Sequence, residues 1–335
     1  MPFSVLYLVA SGLLWGTGGV TGTLLGRAAG LSAISVAAYR LLAGGGLIVI
    51  IRTICGKRWP AGRAAWTRLA VTGALAALFQ ACYFTAVSLT SVSLATLVTI
   101  GGAPVIVQAA GRIAGRRGGR GALVTTGLAL CGLGLLVGLP AGRFGQAAIL
   151  ESAALALVAA GGFATLTLIG ASPVPGLDDL TVTGFGFTIG GLILLPFAAL
   201  HGIGFTPGLT TIGLLIALGT GPTAVAYTLY FRGLRGAPPR TAALLALLEP
   251  LTGAALAALV LGERLTGTGI AGAALLAVAV LRTVRESGSA GESGSAGGAG
   301  GAGPVTGAPL RRSQRRTSPC SSESSPRRAR SGARR

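Results

Sequence analysis

A carboxylate and a helix breaker stand side by side in an apolar run. The stretch TAALLALLEPLTGAALAALVLGERL, Thr241 to Leu265, carries Glu249 and Pro250 at its centre and Glu263 near its end. Few other residues of the 335-residue chain have the means for chemistry. Arg40 lies inside AYRLLAGG, too deep in an apolar stretch to be a loop charge, and Tyr83, Tyr227, Trp15, Gln80 and Gln108 are embedded in comparable stretches. The single histidine, His201, falls in a connecting loop, and the four cysteines, Cys55, Cys82, Cys131 and Cys320, lie far apart with no paired spacing. Neither a disulfide framework nor a zinc site is legible. No Ser/His, paired-Asp or His-rich constellation points to hydrolysis, and no GxxxxGK[ST] loop points to ATP. The chain is expected to be no enzyme, with no cofactor and no metal.

The elements that must position these residues follow from composition. Hydrophobic residues make up 51% of the chain and charged ones 10%, with a mean hydropathy of +0.74, far outside the range of soluble domains. Apolar runs of about 20 residues recur, the length that carries a helix across ~30 Å of hydrocarbon. No ten-residue alternating strands are seen, so the spans are helices. Counting runs between charge and Pro/Gly punctuation predicts ten, at roughly 3–25, 32–51, 67–88, 91–111, 121–139, 147–170, 181–200, 209–231, 239–260 and 266–282. The fold class expected is an all-α integral membrane protein. With no Lys or Arg before Arg27, the first span lacks the basic start of a cleaved signal peptide and is expected to be retained.

Charge orients these spans. A net charge of +19 would suggest nucleic acid in a soluble protein, but here 16 basic residues against 5 acidic ones fall in 1–281, mostly in short loops, and 11 against 3 fall in 282–335. Arg52, Lys57, Arg58, Arg63 and Arg68 follow span 2, Arg112, Arg116, Arg117 and Arg120 follow span 4, and Arg232, Arg235 and Arg240 follow span 8. The opposite loops hold only Arg27, Arg143 and Arg264. The positive-inside rule therefore puts both termini in the cytoplasm, in a multi-pass protein of the cell (plasma) membrane. The loop after span 6 is the exception, with Asp178 and Asp179 and no base.

The chain also repeats. SVSLATLVTIGGAPVIV, Ser91 to Val107, aligns with APPRTAALLALLEPLTG, Ala237 to Gly253, at an offset of 146 that superposes Pro104 on Pro250 and Ala103 on Glu249. The same offset puts Phe84 on Tyr230, and GGLIVI at Gly45 meets GGLILL at Gly190 one residue away from it. Five helices is an odd number, so the second half enters the membrane in the reverse sense: two inverted five-helix repeats, with substrate bound near the midplane between them. The expected division is 1–142 and 143–285 for the repeats and 286–335 for a disordered basic cytoplasmic tail.

Trp15-Gly16 in helix 1, Arg40 in helix 2, the APV turn in helix 4, and LLEPLTG followed by LGERLT and GIAGAALL resemble the EamA family of the drug/metabolite transporter superfamily over nearly all of residues 3–282. The first half departs from the pattern, with Ala103 where a glutamate often stands and GRIAGRR in place of Gly-Glu-Arg. The resemblance implies a secondary transporter of small metabolites, most often an exporter, here of amino acids, related metabolites or toxic compounds. A different reading is a membrane scaffold or sensor that transports nothing and acts through its basic tail.

Residue by residue, two readings stand open. Glu249 lies about ten residues into helix 9, ~15 Å deep at 1.5 Å per residue. A carboxylate there is costly unless paired or protonated, so it is either a substrate or proton-coupling group or a cap for the helix that Pro250 frees. Pro250 and, in helix 4, Gly101, Gly102 and Pro104 are expected helix breaks that line a cavity or merely kink for packing. Arg40 pairs with Glu249, attracts an anionic group, or snorkels. Tyr83, Tyr227, Trp15 and Gln80 are cavity lining or core. Glu263 and Arg264 are expected to form a structural cap or salt bridge. Partners expected are a small-molecule substrate, protons as coupling ion, anionic lipid at the tail and a second copy in a homodimer, with no nucleic acid.

Overall fold

The computed structural model describes residues 3–115, 120–138, 144–260 and 266–296. Arg116, Arg117, Arg143, the expected cap at Glu263 and Arg264, and the tail beyond 296 lie outside the described residues. The helices are α1 (Phe3–Ala29), α2 (Ala33–Ile54), α3 (Arg63–Leu89), α4 (Val92–Ile113), α5 (Arg120–Val137), α6 (Gln146–Gly170) and α7 (Asp179–Leu200). Then come α8 (Leu209–Leu234), α9 in two pieces (Pro239–Leu245 and Leu248–Val260) and α10 (Gly267–Ala296). Among the described residues nine of these are long and apolar enough to cross a membrane, and α5 adds the shorter apolar helix Gly121–Val137. The protein is a multi-pass, all-helical membrane protein of two five-helix halves.

Local chemistry fixes the ends. Ser32, Ser91 and Asp178 each accept from the backbone N–H three residues on, at 3.2, 3.1 and 2.6 Å, and so satisfy orphan donors at the starts of α2, α4 and α7. The halves keep step at these points. Starts at Ala33 and Asp179, ends at Ile54 and Leu200, and starts at Arg63 and Leu209 are each 146 residues apart. So are the left-handed glycines Gly30 and Gly176, and Gly56 and Gly202. The double-glycine match is corrected accordingly: Gly44 pairs with Gly190 and Gly45 with Gly191, without the one-residue slip. Three glycines in a row at 44–46 make that register ambiguous to the eye.

Those glycines sit where helices cross. A Cβ on Gly44 would lie 2.6 Å from the carbonyl of Gly219 in α8, and one on Gly190 would lie 2.8 Å from the carbonyl of Gly73 in α3. Each contact is the image of the other at the 146-residue offset. With only hydrogen on the α-carbon, backbone meets backbone, which is how helices associate where lipid gives no hydrophobic drive. Between them α2 runs along α7 in the most extensive helix pairing of the molecule.

Four features differ from the expected elements. The break expected at Gly101, Gly102 and Pro104 is not there, because α4 continues as one helix through Pro104. The break in α9 falls at Ala246 and Leu247, upstream of Pro250, which sits in the first turn of the second piece. α8 carries a π-helical turn at Thr220–Val225, where Pro222 cannot donate to Leu218 and the Thr223 hydroxyl donates to that carbonyl instead, at 2.8 Å. Finally, α10 runs past the boundary expected at Glu286, to Ala296.

The acidic α6–α7 loop also has its explanation. Arg52 pairs with Asp178 at 2.9 Å and Arg235 with Asp179 at 2.6 Å, tying the ends of α2 and α8 to the start of α7. Burial pushes the Asp178 carboxyl up, but hydrogen bonds from Thr181 and the Arg52 guanidinium outweigh it and hold the group below the usual carboxylate range.

Candidate functional site

Six residues that the sequence offers for chemistry, Trp15, Arg40, Gln80, Tyr83, Tyr227 and Glu249, line one cavity of about 60 Å³. They arrive from α1, α2, α3, α8 and α9, so the site is assembled from both halves. Gln108 does not join them. It donates to the Thr126 hydroxyl and lines a separate groove at the opposite end of the bundle with Arg240.

The walls are mostly rings. Trp15 meets Tyr227 edge-on with ring centroids 4.8 Å apart, Phe163 at 5.8 Å and Tyr230 at 4.9 Å, while Phe187 locks Tyr227 from behind at 4.5 Å. The Tyr83 hydroxyl bonds the Thr96 hydroxyl at 2.8 Å. Tyr230 is fully buried, bonded to Thr167 at 2.7 Å, and supports Trp15 from outside the cavity. Phe163, missed in the sequence, stands as one large ring in the small-residue run AAGGFAT, and that isolation is the signal by which it could be found.

The polar groups are arranged against this apolar background. Trp15 is only 4% exposed, yet its Nε1 has no hydrogen-bond partner, and neither has the buried Nε of Arg40. A buried donor left unmade costs about 1–3 kcal/mol, more when charged, so an acceptor reaching either of these two would be stabilising. Glu249 stands in the first turn of the helix Leu248–Val260, where the positive end of the helix dipole favours a carboxylate. Of the readings open for Arg40, the ion pair with Glu249 is not formed, since neither ion pair among the described residues joins them. Both groups line the cavity without neutralising each other by contact.

The prolines act here as well. Pro104 cannot donate to the carbonyl of Ile100, nor Pro250 to that of Ala246, for want of an N–H. Ile100 and Ala246, 146 residues apart, both line the cavity. The Ala246 carbonyl instead accepts from Glu249 N at 3.0 Å, which winds the broken turn tight.

The cavity opens one way. A vestibule of about 500 Å³ shares Trp15, Arg40, Tyr83, Phe84 and Glu249 with it and runs to the α1–α2 loop past Gly19, Gly22, Gly26 and Leu31. That volume lies within the range of small-molecule sites, whereas the inner cavity alone admits only a few atoms. On the opposite side of the cavity α1 packs tightly on α9: a Cβ on Gly12 would lie 2.7 Å from the Leu245 carbonyl and 2.8 Å from Leu248.

A shared site at the contact of two repeated halves, open on one face, is transporter architecture. The EamA-like transporter family matches residues 2–138 and again 151–285. The chain belongs to this family. It is a membrane transporter, and its two matches fall one on each half. Among curated proteins it is similar to "Uncharacterized transporter YwfM" of Bacillus subtilis (strain 168), 29% identical over 282 residues that cover 82% of this chain and 92% of that one. A solved structure described as "Crystal structure of protein" shares the fold with a TM-score of 0.71 at 18% identity, covering 84% of this chain and 98% of that one.

Proposed function

We propose that this EamA-family protein is a secondary exporter of small zwitterionic metabolites, amino acids among them, working by alternating access between repeats 1–142 and 143–285. The observation that carries the reading is the pairing, in one aromatic-walled cavity, of two unpartnered donors, Trp15 Nε1 and Arg40 Nε, with an uncontacted carboxylate, Glu249. An acid group on the substrate would take the donors, an ammonium would take Glu249, and apolar parts would lie on the rings. Glu249 shares the cavity with Arg40 but forms no ion pair with it, so its carboxylate is open to an exchange in which a proton and the substrate's ammonium take turns on it. That exchange supplies the coupling. On this reading the basic loops face the cytoplasm, as the positive-inside rule favours, with both termini on that side of the cell membrane and the vestibule on the outer side.

The test is transport by purified protein in liposomes over a panel of amino acids and toxic analogues, with and without an imposed pH gradient. Flux that depends on the gradient, and its loss in Glu249→Gln with the protein still folded, is expected. Flux of no compound, or unchanged coupled flux in Glu249→Gln, would overturn the reading.

A further inference from the structure

At the face opposite the vestibule lies a cleft of only about 20 Å³, between the end of α6, the start of α7, the end of α8 and the start of α3. It occupies the place in the second half that the vestibule occupies in the first. Where the vestibule is lined by Leu31, Ala33, Val36 and Leu218, the cleft is lined by Leu177, Asp179, Val182 and Thr72, each pair separated by the same 146 residues. Further walls match at the same offset, Gly26 and Arg27 of α1 in one and Ser172 and Pro173, just past α6, in the other. One opening of about 500 Å³ thus has a collapsed twin.

What closes the twin is specific to it. Arg68 reaches from α3 to the carbonyls of Ile169 and Ser172 at the end of α6, and Arg235 at the end of α8 holds Asp179 at 2.6 Å and the Leu177 carbonyl at 3.3 Å. Phe231 and Leu234 press on the same helix end, so that a Cβ on Gly170 would meet each at 3.0 Å. At the corresponding positions the vestibule side has Leu214 for Arg68, Leu89 for Arg235 and Ala33 for Asp179. None of these three is charged. Two of the α1 glycines that line the vestibule are loose: a Cβ on Gly22 would find nothing nearer than Val36 at 3.7 Å, and one on Gly19 nothing within 4 Å.

We propose that this cleft is the second mouth of the substrate path, and that Arg68, Asp179 and Arg235 form the latch that holds it shut while the vestibule is open. The proposal rests on the transporter reading above and adds where the substrate enters from the closed face and which side chains admit it. Opening requires Arg68 to leave the α6 carbonyls and the Arg235–Asp179 pair to part, after which α6 withdraws from α8. By the repeat symmetry the vestibule then closes as α1 approaches α2 and α3. The latch is made of one ion pair and of charge-assisted bonds to carbonyls at a water-facing end of the bundle, strong enough to hold and reversible in a wet mouth.

Paired cysteine reporters test this without any substrate. In a full-length background with Cys55, Cys82, Cys131 and Cys320 changed to serine, Gly22→Cys reports the vestibule and Thr72→Cys, at a position only 1% exposed, reports the mouth. In nanodiscs a charged, membrane-impermeant thiol reagent should label Gly22→Cys at least roughly tenfold faster than Thr72→Cys. Adding Asp179→Asn, or separately Arg235→Gln in case the first variant folds poorly, should raise the Thr72→Cys rate several-fold and lower the Gly22→Cys rate reciprocally, while Arg235→Lys keeps the original ratio. Unchanged rates would overturn the latch. A faster Thr72→Cys without a slower Gly22→Cys would also overturn it, as local fraying. Failure of the metabolite panel would sink the transporter reading and leave the labelling result standing, whereas intact transport with no reciprocity would sink the latch alone.

Discussion

The same lesion has two outcomes in the two halves. Pro104 and Pro250 occupy equivalent positions, and each removes the donor that would bond the carbonyl four residues back. In the first half α4 runs straight on, while in the second α9 breaks at Ala246 and Leu247 and restarts at Leu248. The residue before the proline differs: Ala103, 1% exposed and packed in the central core, against Glu249 in the cavity wall. An alanine demands nothing of the turn it stands in. A carboxylate in an apolar bundle gains from a helix N-terminus, and the break creates one at its own position. The proline permits a break without compelling one, and the two halves differ both in the residue before it and in the packing around it.

Four experiments would break or sharpen this comparison. The largest effect is expected at the backbone crossings. Gly73→Val and Gly219→Val each drive a side chain into a neighbouring helix, since a Cβ there already lies 2.5 Å from the Gly186 carbonyl and 2.8 Å from the Ala43 Cβ respectively. Overpacking of this kind costs ~1–3 kcal/mol or more, so both variants should lose most folded protein in a detergent melting assay. A large loss in one and none in the other would mean that the halves do not pack alike.

Next comes Ala103→Glu, which gives the first half the second half's carboxylate without its helix start. A charge at the membrane centre costs ~3 kcal/mol on insertion scales, so expression and melting temperature should both drop. Wild-type behaviour would show that helix α4 can accommodate the group, and the break in α9 would need another cause. Third, Trp15→Phe keeps an aromatic ring but trims the indole and deletes the unpartnered donor. Hydrogen bonds to charged groups are worth about 1.5–3 kcal/mol, so the apparent affinity for a carboxylate substrate should fall roughly tenfold or more, beside a modest drop in melting temperature from the trimmed ring contacts. An unaltered affinity would leave Arg40 as the sole anchor.

The smallest effect concerns the twin caps. Ser32→Ala and Asp178→Ala should each cost ~1 kcal/mol, with Asp178→Ala the larger because it also frees Arg52. Since the folded Asp178 holds its proton less tightly than the unfolded chain does, its stabilisation is present above the usual carboxylate range and lost as pH falls through the lowered folded value. The gap between the two variants should thus stay flat from about pH 5 to 8 and close only in stronger acid, as melting curves across pH would reveal. A gap that varies near neutrality would point to a different titrating group.

Much of this was legible in the sequence, and for physical reasons. Hydrocarbon thickness sets the length of apolar runs, so span existence could be read with ends off by a few residues, as at Arg63 against a predicted 67. The convergence of Arg40, Glu249, Trp15 and the two tyrosines could be anticipated because polar and amphipathic side chains deep in a span have few other places to go. What could not be read is whatever depends on a neighbour. The fate of Pro104 hangs on its packing, the separation of Arg40 from Glu249 on the exact approach of α2 and α9, and the π-turn of α8 on a threonine placed to replace a missing donor. The difference in size between the vestibule and the cleft escaped as well, since the cleft is bridged by contacts between helices more than 100 residues apart in the chain, such as Arg68 with Ile169.

The π-turn at Thr220–Val225 has one more implication. A helix advances about 100° of rotation per residue, so a turn that holds one residue too many swings everything after it around the axis by about that angle. The aim of Tyr227 and Tyr230 towards Trp15 is therefore set by the winding error upstream as much as by their own positions. Rewinding that turn to ordinary pitch would carry the pair off towards another neighbour without altering a single atom of either ring, so the aromatic wall can be dialled from a distance.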